Sequence, residues 1–203
     1  MVTLMDVWLG SSSSPRESLG EAFKLCKKAI ALDESQDLPH SVVGSIYALS
    51  RKYDKAITEG ERAIALNPNS STAYVWLAMS LNYAGRPEEA INSIKKAMRL
   101  SPFPPAFYIL NLGHAYRETG RYEEAVTEYK NCLKLTPNNI FAHKGLVMTY
   151  ASAGRYKEAR EAWSELIKLD LKMSVEKMFP KTWPYGPEHR ERYIAALHKA
   201  GIK

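Results

Sequence analysis

The side chains best suited to acid–base, nucleophilic or metal chemistry are dispersed along this sequence of 203 residues. The five histidines are His40, His114, His143, His189 and His198. The two cysteines, Cys26 and Cys132, lack the paired spacing of a zinc site. The sequence also has neither a glycine-rich phosphate loop nor a nucleophile elbow. It therefore predicts no catalytic, cofactor-binding or metal-binding residues, and we do not expect an enzyme.

Adjacent carboxylates are better explained by helix electrostatics than by general acid–base catalysis. Glu88-Glu89 and Glu123-Glu124 each fall in the first turn of a predicted helix, where the helix dipole stabilises negative charge. Both cysteines fall on predicted packing faces, which favours buried thiols in a reducing compartment. No basic residue precedes Arg16, as a signal peptide would require, and no apolar run reaches transmembrane length. These features predict a cytoplasmic protein without membrane insertion.

The elements that carry these side chains are best seen in residues 106–139. Apolar or very small residues recur there at offsets of three and four, which places them on one face of a helix. Gly120 interrupts this first stripe, as expected of a residue that can adopt positive φ at a helix C-terminus. A second stripe runs from Tyr122 to Leu133, and Pro137 ends it. The stretch therefore predicts two antiparallel helices joined by a short turn.

Copies of this pattern start near residues 3, 37, 71, 106 and 140, so the period is 34 or 35 residues. A small side chain recurs at the twentieth position of every copy, where neighbouring helices would cross closely. These residues are Ala22, Ala56, Ala90, Ala125 and Ala159. The repeats predict an elongated stack in which each unit contacts mainly its neighbours along the chain.

With this period and these offsets the chain resembles the tetratricopeptide repeat (TPR) family. The resemblance implies an all-α, right-handed superhelical solenoid of about five antiparallel helix pairs with a C-terminal capping helix. The units are an irregular first repeat at 1–36, repeats at 37–70, 71–105, 106–139 and 140–173, and a capping segment at 174–203 with a proline-rich aromatic loop and a final helix. Because the chain begins almost directly on a repeat helix, we expect it to be a fragment of a longer protein.

The net charge of +6 and the isoelectric point near 9.2 raise the question of a nucleic-acid partner. Lysine and arginine are, however, mixed with glutamate along the helices, without a patch of interleaved basic and aromatic residues. One regularity is a basic residue at the sixteenth position of four repeats, namely Lys52, Arg86, Arg121 and Arg155. Placement near the end of the preceding helix accounts for it. We therefore predict no nucleic-acid partner.

In the TPR family the first helix of each repeat lines a concave groove that binds extended peptides or helices. Carried over by repeat position, the resemblance implies a peptide-binding groove formed by Ser41, Ser45, Val75, Met79, Asn82, Tyr83, Leu110, Asn111, His114, Arg117, Lys144 and Met148. The alternative is that another part of the chain, or a second copy of it, covers these residues. The expected partner is accordingly a protein or peptide, and a homo-oligomer is the alternative.

Several segments are similar to a narrower group, the C-terminal repeat regions of bacterial class III adenylate and guanylate cyclases and related TPR proteins. They are residues 53–57, 66–69, 85–91, 94–100 and 197–201. The metal-binding aspartates of a cyclase domain are absent from the sequence, so this resemblance transfers no catalytic residue. It implies a regulatory module whose output lies elsewhere in a parent protein.

Overall fold

Helices form all the regular secondary structure of residues 15–179 and 184–203, the part of the chain that the computed structural model describes. They are α1 Pro15–Leu32, α2 Asp37–Leu49, α3 Tyr53–Leu66, α4 Ser71–Tyr83, α5 Pro87–Leu100, α6 Ala106–Glu118, α7 Tyr122–Leu135, α8 Ile140–Ser152, α9 Tyr156–Leu169, α10 Val175–Met178 and α11 Pro187–Lys199. The all-α prediction is confirmed. The predicted first helix of the irregular repeat and most of the proline-rich loop, residues 180–183, lie outside the described residues.

The turn inside each helix pair is made by a residue in the left-handed region. Gly85, Gly120 and Gly154 have φ of 76°, 76° and 74°. Their amides donate to carbonyls three residues back, which closes the end of the first helix of the pair. Arg51 adopts the same region at φ 56° in the pair formed by α2 and α3. The sequence prediction of a positive-φ turn at Gly120 is therefore confirmed.

The helix pairs stack in chain order into a right-handed superhelical solenoid. Helices α2, α4, α6 and α8 contact one another in succession, and each also packs against the second helix of its own pair. Close approach depends on the small side chains of the second helices, because Ala56, Ala90, Ala125 and Ala159 are fully buried. The successive first helices thereby form one continuous face of the solenoid, which we call the concave face.

Tyr129 shows how tightly two neighbouring units fit together. Its fully buried ring lies between Gly113 of α6 and Gly145 of α8. A Cβ atom added at Gly113 would lie 2.8 Å from the ring, and one added at Gly145 would lie 2.5 Å from it. Glycine is therefore required at both positions by space, not by backbone conformation.

Three of the four regular basic residues form ion pairs with a nearby glutamate. Arg86, Arg121 and Arg155 form ion pairs with the glutamate three residues later, at N–O distances of 2.6, 2.8 and 2.9 Å. Two of these arginines also stack on tyrosines. The guanidinium carbon of Arg121 lies 4.4 Å from the ring centroid of Tyr116. The guanidinium carbon of Arg155 lies 4.7 Å from the ring centroid of Tyr150. The partners thus lie on the following helix as well as near the preceding one.

The core of the solenoid continues into the C-terminal residues. Met178, Phe179, Tyr193 and Leu197 are at most 1% exposed and belong to the same apolar cluster as the side chains of α4 to α9. Helix α11 packs against α8, and Arg160 of α9 donates to the Ala200 carbonyl at 3.1 Å. Within the described residues, no helix has the length and apolarity needed to span a membrane.

Candidate functional site

The predicted groove residues do not form a free surface in this structure. Nine of the twelve are buried, namely Ser41, Ser45, Val75, Met79, Asn82, Leu110, Asn111, Arg117 and Met148. Only Tyr83, His114 and Lys144 are partly exposed. Their role in binding a peptide stays a prediction, and the first question is what covers them.

Part of the cover comes from the last residues of the chain, 184–203, which we call the C-terminal segment. Its Tyr185 is 3% exposed and packs edge-on against Tyr83 of α4, with ring centroids 4.9 Å apart. The Tyr53 hydroxyl of α3 donates to the Pro184 carbonyl at 2.7 Å. The segment therefore reaches back along the solenoid to α3 and α4 instead of covering only the last helix pair.

A buried charged pair, Arg117 and Glu118 at the end of α6, lies at the centre of this contact. Arg117 is 3% exposed, and its guanidinium carbon lies 5.0 Å from the ring centroid of Tyr193. It donates to the hydroxyl of Tyr193 at 3.0 Å and to that of Tyr129 at 3.2 Å. One of its nitrogens lies 3.0 Å from the Glu118 carboxylate. These contacts satisfy a cation that would otherwise be costly to bury.

The Glu118 carboxylate receives most of its other partners from the C-terminal segment. It accepts a short hydrogen bond from the Tyr193 hydroxyl and another from Arg192 at 2.8 Å, and the His189 ring nitrogen lies 3.7 Å away. Burial alone would raise the pKa of this carboxyl. Arg117, Tyr193 and Arg192 together lower that pKa below its ordinary value, so the group stays ionised at neutral pH.

The contacting side chains of the C-terminal segment recur every four residues, at Tyr185, His189, Tyr193 and Leu197. Tyr185 precedes α11, whereas on α11 this interval places His189, Tyr193 and Leu197 in one stripe that faces the array. Tyr193 is 1% exposed and Leu197 is fully buried, while His189 stacks on Tyr185 with centroids 5.5 Å apart. The geometry is that of an amphipathic helix lying in a groove.

Sequence reasoning missed Glu118 and the two tyrosines of the C-terminal segment. Glu118 occupies the thirteenth repeat position, which also holds the groove residue Tyr83, so the repeat frame contained the signal. Nothing in the sequence indicates that the last helix reaches α6 through Tyr193. The repeat numbering predicts which residues lie at groove positions, but it does not predict which part of the chain contacts them.

Beyond the C-terminal segment the concave face carries a row of partly exposed aromatic side chains. Trp76 of α4 and Phe107 of α6 are in contact, with ring centroids 5.3 Å apart. On α8 the Lys144 ammonium lies 5.9 Å from the ring centroid of Phe141. Burial lowers the pKa of Lys144, an effect that Asp170 opposes. This row extends the apolar surface towards the N-terminal ends of the first helices.

His114 is a second titratable group on this face. Its ring lies 5.6 Å from that of Tyr129, and one turn further along α6 is Arg117. Removal from water and the nearby positive charge of Arg117 hold the pKa of His114 well below its ordinary value. The imidazole is therefore neutral at physiological pH.

The titratable and thiol side chains outside the Arg117–Glu118 cluster are dispersed over the described residues. Among the described residues, no group of three or more histidine, cysteine or acidic side chains is placed to hold a metal ion. Cys132 is buried, and burial raises the pKa of both Cys26 and Cys132, which disfavours reactive thiolates. The concave face carries aromatic rings, a buried ion pair and an apolar stripe, features that also occur in protein interfaces.

Comparison with known proteins places this architecture in a family. The family described as "Psidin, N-terminal TPR repeats region" matches residues 44–175. Small glutamine-rich tetratricopeptide repeat-containing protein 2 of Mycosarcoma maydis is 38% identical over 101 residues, which are 49% of this chain and 28% of that protein. The chain spans between 16% and 28% of the lengths of the first curated relatives it matches.

Two solved structures show the same fold at low sequence identity. PilW, a widely conserved type IV pilus biogenesis factor, has a TM-score of 0.72 at 20% identity over 96% of this chain and 89% of its own. YrrB, a TPR protein with an unusual peptide-binding site, has a TM-score of 0.58 at 20% identity over 86% of this chain and 90% of its own. The periodic sequence, the stacked helix pairs and the match over residues 44–175 together show that this chain belongs to the tetratricopeptide repeat family represented by the Psidin N-terminal repeat region.

Proposed function

We propose that this chain is a non-catalytic protein-interaction scaffold that binds a helix or peptide on its concave face. The observation that carries the proposal is the occupancy of that face by a helix, α11, held by Arg117 and Glu118. A surface that holds one amphipathic helix has the shape and chemistry to hold another. The similar fold of YrrB, described as a TPR protein with a peptide-binding site, supports the same function.

The proposed binding surface includes the partly exposed row of Trp76, Phe107, Phe141 and Lys144. Aromatic side chains supply large contact area with few rotatable bonds, so little conformational entropy is lost on binding. Lys144 adds a cation whose lowered pKa reflects its partial removal from water. A partner segment would gain apolar burial along the row and a charge contact at its α8 end.

Selection of peptides from a displayed random library on the full chain tests this function. Selected peptides should bind the wild type and lose at least tenfold in affinity for the variant Lys144→Glu. The matched control is Lys130→Glu, the same charge reversal at an exposed position of α7. Equal affinity for all three proteins, or the failure to select any peptide, would contradict the proposal.

We further propose that the array is a regulatory module of a larger cytoplasmic bacterial protein, such as a nucleotide cyclase. This part is supported by the resemblance of residues 85–91, 94–100 and the other segments named above. The relatives are also several times longer than this chain. Identification of the complete reading frame tests it, and a frame without a catalytic domain would contradict it.

Self-association is the second candidate, because the concave face already accepts a segment of this same chain. The C-terminal segment of one copy would then occupy the groove of another, which is domain swapping. Light scattering across a concentration series tests it. A mass that rises from 22.9 kDa towards twice that value supports self-association, and a constant 22.9 kDa contradicts it.

A further inference from the structure

We propose that the C-terminal segment is a built-in occupant of the concave face and that the partner must displace it. The partner is a segment with the same anchors, an aromatic side chain just before a helix and a second one about eight residues later on that helix, with an arginine beside the second. This inference rests on the proposed function and adds to it the chemistry of the partner and the means of regulation.

The contacts of the C-terminal segment extend beyond the last helix pair to α4 and α6. A cap for the last helix pair needs to cover only α8 and α9. The segment instead contacts Tyr83, Arg117 and Glu118, which lie at the C-terminal ends of α4 and α6. Two of these three were predicted from the repeat frame as groove residues. The segment thus uses the surface that a ligand would use.

The Glu118 carboxylate depends on the C-terminal segment for two of its hydrogen-bond donors. Its side chain is 4% exposed, and outside the C-terminal segment its described partner is the neighbouring Arg117. The segment adds a tyrosine hydroxyl and an arginine, both aimed at the carboxylate. A different occupant that covered Glu118 without such donors would leave a buried carboxylate short of hydrogen bonds, at a substantial cost. A competing occupant must therefore supply a hydroxyl and a cation at equivalent positions.

The side chains that anchor the C-terminal segment are two tyrosines and an arginine. Tyr185 and Tyr193 bring aromatic rings to Tyr83 and Arg117, at separations of 4.9 and 5.0 Å. Arg192 also stacks on Tyr193, with its guanidinium carbon 4.9 Å from the ring centroid. The Arg192-Tyr193 dipeptide thus presents one cation and one hydroxyl to Glu118 together. A partner helix reproduces this contact only with a basic residue next to an aromatic one.

Competition follows from the covalent tether. An attached segment has an effective concentration in the millimolar range for a short linker, so a free partner binds only the fraction of molecules whose groove is open. A change that weakens the segment should therefore strengthen binding of a partner. This sign is opposite to that expected if the segment were a structural part of the groove.

The test compares three full-length chains: wild type, Arg192→Glu and Lys199→Glu. Arg192→Glu places a carboxylate beside Glu118, whereas Lys199→Glu makes the same charge change at an exposed position of the same helix. The probe is a fluorescent peptide with the sequence of residues 184–203, titrated by anisotropy. We expect it to bind Arg192→Glu at least tenfold more tightly than the other two chains. The same peptide carrying Arg192→Glu should bind none of them tightly.

Equal binding of the probe to all three chains, or no binding to Arg192→Glu, would overturn the inference. The proposed function would still stand if library peptides lost affinity with Lys144→Glu, so the two failures are distinguishable. Hydrogen exchange on the wild type gives a second measurement that needs no variant. Amides of α11 should exchange at least tenfold faster than those of α6 and α7, and equal protection would overturn the inference whatever the titration gives.

Discussion

The repeat array and the C-terminal segment are held by different kinds of contact. In the array, fully buried alanines such as Ala90 and Ala125 recur at each helix crossing, and the interface is renewed every 34 or 35 residues. The C-terminal segment is held by contacts that occur once, between Tyr193, Arg117 and Glu118. The array interface is made of small apolar residues, whereas the segment contact adds a polar and aromatic cluster to the buried apolar side chains of Leu197, Ala200 and Ile202.

Met79 was predicted as a groove residue, but it is 1% exposed and lies inside the repeat array. Met79→Glu would bury a carboxylate in the array, and we expect it to lower the free energy of unfolding by more than about 3 kcal/mol. Urea denaturation followed by circular dichroism measures this loss. The control Met79→Leu should cost less than about 1.5 kcal/mol. A Met79→Glu protein as stable as the wild type would place this side chain on a free surface.

Space at Tyr129 gives the next largest effect. Gly145→Ala would bring a Cβ atom to 2.5 Å from the buried ring, and we expect a loss of about 1–3 kcal/mol in unfolding free energy. Gly20→Ala on α1 is the matched control, because a Cβ there meets nothing within 4 Å. That control should gain up to about 1 kcal/mol from helix propensity. Equal stability of the two variants in urea would show that α6 and α8 are not packed as closely as described.

The pKa of His114 predicts a smaller, pH-dependent effect. Because this pKa is below that of the unfolded chain, near 6.5, the unfolded state takes up a proton as the pH falls below 6.5 and the folded state does not. Stability should therefore fall by up to about 1.4 kcal/mol between pH 7.5 and 5.5. The lowered pKa of Glu118 acts only in the more acidic range below its unfolded value of about 4.5, where protonation removes its stabilisation.

A variant separates this titration from others. His114→Gln should flatten the dependence of unfolding free energy on pH between 7.5 and 5.5, as measured by urea titrations at each pH. An unchanged slope in His114→Gln would assign the effect to another group.

The exposed pairs along the outer edge should contribute least. Arg121→Ala removes the 2.8 Å ion pair with Glu124 and the stacking on Tyr116. Because exposed ion pairs are screened by water and salt, we expect the smallest change of the series, and a change that shrinks further in high salt. A loss in urea denaturation as large as that of Gly145→Ala would show that the basic row is a structural part of the array.

The features predicted from the sequence belong to the repeat array, whereas the contact made by the C-terminal segment was not predicted. The helix pairs, the positive-φ turn at Gly120 and the TPR family were accessible because each is repeated, so weak local signals reinforce one another at a fixed period. The contact of Tyr193 with Arg117 joins residues 76 positions apart and occurs once. No periodicity reports it, and only the folded superhelix brings the two side chains together.

Burial of the groove residues was also beyond the sequence, for a physical reason. Helical spacing distinguishes the face that packs on the partner helix from the opposite face. It does not show whether the opposite face is later covered by the chain itself, as Tyr185 covers Tyr83. The narrower resemblance of residues 53–57 and the other segments to cyclase-associated repeats stays a prediction, because a shared repeat fold does not distinguish one group of TPR proteins from another.

The central claim is that the concave face binds a polypeptide and that the C-terminal segment occupies the same place. Hydrogen exchange of the full chain, with and without a library-selected peptide, tests it most directly. Binding should lower amide protection in α11, as the segment leaves, and raise or preserve it in α6. Bound peptide with unchanged protection in α11 would contradict the claim, because peptide and segment would then occupy different surfaces.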